Sequence, residues 1–190
     1  MDGERVLLWQ RLDLPGTEVL RLRMSATEVI ASAVILSAFD GEPFELRYEL
    51  VCDGSWRLRR ALLLVTQAGA KRTLELLMDG AGAWLRGDGR AIAELEGCLD
   101  IDISVTPYTN TLPIRRLNLA LGQRHEISVA YVDVPTLEVS PAHQWYTRLA
   151  DVGEVAYYLF QSESGFHAVL RVNGDGLVVD YPGLFARYRP

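Results

Sequence analysis

Apolar and polar residues alternate with a period of two over much of this chain, and that pattern predicts β-strands. Between Phe44 and Cys52, the residues Phe44, Leu46, Tyr48, Leu50 and Cys52 fall on one side, and Glu45, Arg47 and Glu49 on the other. Leu20, Leu22 and Met24 set against Glu18, Arg21 and Arg23 suggest a second such strand. Leu74, Leu76 and Met78 set against Thr73 and Glu75 suggest a third. Each is expected to turn one face to water. Turn signals separate the strand-like runs: Asp40-Gly41, Asp53-Gly54, Asp79-Gly80, Gly87-Asp88-Gly89 and Gly174-Asp175-Gly176. Asp-Gly pairs supply the positive φ angles of tight hairpin loops, so successive strands should be up-and-down neighbours.

Other stretches are apolar on both faces. Leu62, Leu63, Leu64 and Val65 are consecutive, as are Val155 to Phe160, and Val6, Leu7, Leu8 and Trp9 behave alike. Each side then calls for cover, and a strongly curved sheet that packs helices or loops on its concave side, or closes into a barrel, supplies it. A filled core and an apolar cavity both satisfy the pattern. One segment departs from it: Pro113 to Gly122 predicts a short helix, capped by Asn110 or Thr111 and ended by Gly122, with Ile114, Leu117 and Leu121 on one side. Leu177 to Gly183 is expected to be a last strand and turn. No internal repeat interrupts this series, and one domain is expected over residues 1–190.

Composition narrows the partners. With 19 Lys and Arg against 25 Asp and Glu, the net charge of -6 offers no footprint for nucleic acid and would be repelled by an anionic membrane surface. The most apolar run, Val29 to Phe39, falls short of the ~20 residues of a membrane-spanning helix. The N-terminal residues lack the basic start and cleavage site of a signal peptide, and Cys52 and Cys98 could form at most one bridge, so a cytoplasmic protein with buried, unreactive thiols is expected.

Candidate chemistry is sparse. Asp100, Asp102 and Ser104 alternate in a strand-like run and would share a face, where paired carboxylates can hold a metal or trade protons. Spacing fixes no third acidic ligand near them, so the simpler expectation is that they face water or cap the backbone of the loop that follows. His125, His143 and His167 are scattered, no glycine-rich phosphate loop follows a strand, and no Cys/His cluster marks a zinc site. No catalytic residue, metal or cofactor is therefore assigned. Arg115 and Arg116 sit at the predicted helix start, where the helix dipole disfavours positive charge, which implies a partner. That partner is either Asp100 and Asp102 in an internal network, the favoured choice, or the phosphate or hydroxyls of a ligand. Trp56, Trp84, Trp145 and Tyr146 could stack on a sugar, but aromatics in strands are more often core.

Tyr48, Cys52-Asp53, Trp56 with Arg59, the run Asp100 to Ser104, the run Thr106 to Leu117, Gln144, Tyr146 to Leu149 and Asp175 to Leu184 together resemble the bacterial putative glycolipid-binding family, over nearly the whole chain. The resemblance implies a mainly β fold similar to the LolA and LolB lipoprotein carriers: a curved antiparallel sheet forming an unclosed barrel, with short helices across its opening. It also implies a lipid or glycolipid ligand, expected to be held without catalysis; the residues themselves suggest a rim for its polar head at Tyr108, Thr109, Asn110, Arg115 and Arg116, with Trp56, Tyr146, Asp100 and Asp102 as further candidate contacts. Two alternatives are an enzyme using Asp100 or Asp102 in the same pocket, and a packed interaction module without a ligand.

Overall fold

The computed structural model describes residues 3–79 and 81–188. In chain order the strands are β1 (Gly3–Arg11), β2 (Gly16–Met24), β3 (Glu28–Phe39), β4 (Glu42–Asp53), β5 (Leu58–Gln67), β6 (Ala70–Met78) and β7 (Trp84–Arg86). A 3-10 turn at Ala93–Leu95 leads to β8 (Asp100–Ile103), and a second at Tyr108–Asn110 runs into the helix α1 (Thr111–Leu117). The chain then forms β9 (Arg124–Val132), β10 (Val139–Arg148), β11 (Ala156–Ser162), β12 (His167–Val172), β13 (Val178–Tyr181) and β14 (Phe185–Arg187).

All fourteen strands belong to one sheet, in the order β7-β6-β5-β4-β3-β2-β1-β14-β13-β12-β11-β10-β9-β8. Two series of hairpins are thus joined where β1 pairs with β14, Trp9 opposite Arg187. The expected curved, unclosed antiparallel sheet is what forms, with one departure: β8 runs parallel to β9. The two edge strands approach without a ladder between them. Trp84 on β7 donates its indole N–H to the carbonyl of Cys98, just ahead of β8, at 2.8 Å.

The alternating pattern holds on β4 and β6, whose predicted apolar residues are buried. On β2 it corrects one assignment. Glu18 shares the parity of Leu20 and Leu22, so it points inward with them and is 2 % exposed, while Val19, Arg21 and Arg23 take the outer face. The doubly apolar runs also resolve differently from expectation. Leu63 and Val65 are buried, but Leu62 and Leu64 lie half-exposed on the outer face beside Val19 and Val34, with no second layer over them among the described residues.

Asp40 and Gly41 take φ of 51° and 81°, the left-handed pair of a two-residue hairpin, which glycine adopts without a Cβ clash. At Asp53-Gly54 the left-handed residue is instead Trp56, at φ 64°. The Asp53 carboxylate accepts the N–H groups of Ser55 and Arg57, and the Asp53 carbonyl accepts that of Trp56. Gly87-Asp88-Gly89 turns the chain into a single bridge between Leu85 and Ala91. Gly80, of the expected Asp79-Gly80 turn, lies outside the described residues.

The helix is shorter than its sequence pattern suggests. It ends at Asn118, whose short polar side chain tolerates φ 43° and whose N–H bonds the Ile114 carbonyl, rather than at Gly122. Leu112 and Ile114 are buried, whereas Leu121 lies beyond the helix and is exposed. Asn110 precedes the helix but makes no side-chain cap.

Because antiparallel strands reverse at alternate ends, the β2–β3, β4–β5 and β12–β13 turns share one end of the curled sheet, and the β3–β4, β11–β12 and β13–β14 turns share the other. α1 lies across the first end. The Arg115 guanidinium sits 5.1 Å from the centroid of Trp56 in the β4–β5 turn. Its stem passes so close to Gly176, in the β12–β13 turn, that a Cβ there would lie 2.5 Å from Arg115 Cδ.

Candidate functional site

At the end opposite α1 the concave face encloses a cavity of about 560 Å³, within the range of small-molecule sites. One wall comes from β8 and the loop after it, through Asp102, Ser104, Thr106 and Asn110. The lining continues through Pro141, Ala142, His143 and Gln144 on β10 and Ser162, Glu163 and Ser164 at the β11–β12 turn. Its apolar side is aromatic. Phe160, Phe166 and Tyr181 form a triangle with each pair of ring centroids 6.2 Å apart, and Phe185 adjoins Tyr181 at 6.1 Å. Rings in tilted and edge contact at these spacings form a packed cluster.

Asp102 is the most deeply set charged group of this cavity. Its two oxygens accept the Thr109 hydroxyl at 2.9 Å and the Gln144 amide N–H at 2.6 Å. Protein surrounds the carboxyl, yet the residue keeps accessible surface, and that surface opens into the cavity. Burial pushes its pKa up, and the Gln144 and Thr109 bonds pull it partly back. Ser104 accepts the Val134 N–H at 3.0 Å, and the Asn110 side-chain carbonyl accepts the Tyr146 hydroxyl at 2.8 Å.

Asp100, two residues earlier on the same face of β8, has a different partner. Arg116 grips its two oxygens through Nε and Nη2, at 3.1 and 2.5 Å. This is the internal pair favoured from the sequence, made with Arg116 alone. The expectation that the aspartates face water or cap the following loop is corrected for Asp100, which is buried, and among the described residues neither carboxylate accepts a backbone N–H. Burial still raises the Asp100 pKa, against the lowering effect of the Arg116 hydrogen bond and charge.

The nine residues singled out from the sequence therefore divide by position. Asp102 and Asn110 line the cavity, and Thr109 and Tyr146 hold those two from behind. Asp100, Arg116, Arg115 and Trp56 lie toward the α1 end, away from the cavity mouth: the helix covers one end of the curled sheet and the cavity opens at the other. Tyr108 is buried against Glu18 and Cys52, and its hydroxyl has no hydrogen-bond partner among the described residues. Sequence reasoning passed over Gln144 as a support and the Phe160, Phe166 and Tyr181 cluster, although Phe160 and Tyr181 stood in runs recognised as strand.

It also missed Glu18. Tyr48 donates its hydroxyl to one Glu18 oxygen at 2.5 Å, and Thr106 donates to the other at 2.7 Å while accepting the Tyr108 N–H. Thr106 lines the cavity, so Glu18 anchors the cavity's loop to the sheet from beneath. Burial raises its pKa to about 7, opposed by the Tyr48 and Thr106 bonds. Its parity with Leu20 and Leu22 was the available signal.

Cys52 and Cys98 are both buried and unbridged, and burial raises both thiol pKa values, Cys52 to about 12. Among the described residues no helix is long and apolar enough to cross a membrane.

No curated protein matches the chain. A solved structure does: a DUF1089-family protein from Pseudomonas aeruginosa, 44% identical, covering 91% of this chain and 92% of its own, with a TM-score of 0.82. A family model described as putative glycolipid-binding matches residues 6–187. The chain belongs to that putative glycolipid-binding family.

Proposed function

We propose that the protein binds an amphipathic molecule, a glycolipid or another acylated compound, in the cavity opposite α1, as a one-domain carrier without catalytic activity of its own. The carrying observation is the juxtaposition, within one space open at one end, of an aromatic cluster and a polar wall of Asp102, Asn110 and Gln144. An acyl chain laid on the rings gains ~0.8 kcal/mol per buried CH₂, enough for micromolar binding from a modest chain after ordering costs. The polar wall then supplies orientation to the head. The family description points the same way.

Native mass spectrometry of the purified protein, with denaturing extraction of whatever accompanies it, tests this reading. A stoichiometric lipid adduct is expected, either as isolated or after incubation with a bacterial lipid extract, and Ala142→Trp, which fills the cavity, should abolish it. A mass that stays unliganded under both conditions refutes the reading.

A further inference from the structure

We infer that the cavity selects against anionic heads: it takes a hydroxyl-rich head that is neutral or carries an ammonium, and Asp102 sets that preference. The inference rests on the binding reading above and adds the class of ligand.

No Lys or Arg lines the cavity among the described residues; its charged or titratable groups are Asp102, Glu163, His143, Tyr131 and Tyr181. The neighbouring guanidiniums are committed elsewhere. Arg11 stacks on Phe185 with its Cζ 5.8 Å from the ring centroid, and its Nε and Nη2 are held by Asp13 at 2.9 and 3.0 Å. Arg116 is bound to Asp100. A phosphate or sulfate entering this space would lose its hydration and find no guanidinium or ammonium to replace it, while facing a carboxyl at depth and a second at the rim.

The same groups suit hydroxyls. Each Asp102 oxygen accepts one bond from the protein, which leaves each a further lone pair for a ligand O–H or N–H. Ser140 adds a hydroxyl, Ser162 and Ser164 add a pair that bond each other at 2.7 Å, and the tilted ring cluster offers apolar edges against which the C–H side of a sugar ring or the start of a chain can lie. Exclusion here comes from a carboxyl set where an anionic head would need a cation, a mismatch of chemistry rather than of shape.

Three probes with one alkyl chain test the inference: octyl β-D-glucoside, its 2-amino-2-deoxy analogue, and its 6-phosphate. Each is titrated calorimetrically, below micelle formation and at neutral pH, into the wild-type protein, Asp102→Asn and Glu163→Gln. The neutral and amino probes should bind the wild type, with the phosphate probe weaker by roughly tenfold or more. Asp102→Asn should narrow that gap and weaken the amino probe relative to the neutral one. Should Asp102→Asn fail to fold, Glu163→Gln, on an exposed turn, must shift the ratio in the same direction. Equal binding of phosphate and neutral probes to the wild type, or a ratio unmoved in the folded variants, overturns the charge preference and leaves the binding reading intact. Failure of all three probes to bind the wild type overturns both.

Discussion

Replacing Glu18 by Gln should make the protein more stable at about pH 8 and leave it little changed at about pH 5. The Glu18 carboxyl sits in the interior between Tyr48 and Thr106, with no cation against it among the described residues. Its pKa is raised from 4.5 to about 7. A proton is therefore held by the folded chain over a window in which the unfolded chain has released it. Stability from this group is fully present below about pH 4.5, declines as pH rises through the window, and is gone above about pH 7, a loss of about 3 kcal/mol at 1.36 kcal/mol per unit. Asp100 and Asp102, also raised by burial, slope the same way, whereas Asp13, Asp53 and Asp175, lowered by hydrogen bonds and neighbouring arginines, act only in stronger acid. The difference between wild type and variant isolates Glu18. Gln keeps the side chain's shape, still accepts from Tyr48, and can donate to Thr106. Urea unfolding followed by tryptophan fluorescence, at both pH values, reads the difference; at a slope of ~2 kcal/mol/M, 3 kcal/mol is about 1.5 M in midpoint. If the variant's midpoint is offset from wild type equally at both pH values, Glu18 is not the proton-holding group and the reasoning fails.

The two helix arginines should part company. Arg116→Ala leaves the buried Asp100 carboxylate uncompensated and should lower stability by about 3–5 kcal/mol in urea unfolding, with partial recovery in the Asp100→Asn background. Arg115→Ala loses a stacking contact with Trp56 and should stay within about 1 kcal/mol of wild type. Gly176→Ala meets both a φ of 80° and the Arg115 stem, and should reduce the thermal midpoint. Adding Arg115→Ala should restore only the part due to the steric contact.

Period-two alternation made most of the sheet legible in the sequence, because one face of each strand is buried and a shift of one residue would expose it. The β2 face was misassigned at Glu18 because polarity was given precedence over parity. A carboxyl that belongs inside by position looks as though it belongs outside by chemistry, and only the facing Tyr48 and Thr106, remote in sequence, reconcile the two. The strand bearing Asp100 and Asp102 was legible too, but not their separate fates. Asp100 meets Arg116 because α1 crosses its end of the sheet, and Asp102 meets the cavity because Gln144 reaches it from β10. The cavity itself assembles from β8 to β11, β13, β14 and the turns between them, and no local periodicity records which turns share an end.

The pairing of β1 with β14 also bears on how the molecule is made. A growing chain can zip β1 through β7 in order of synthesis, each strand finding a neighbour already present. The free edge of β1, however, waits until the rest of the sheet has emerged. The seam at the sheet's centre is thus the last to be sealed, with the largest loop to close, and until then two inner edges stand open. Loss of the few residues of β14 would expose the middle of the sheet rather than trim its rim.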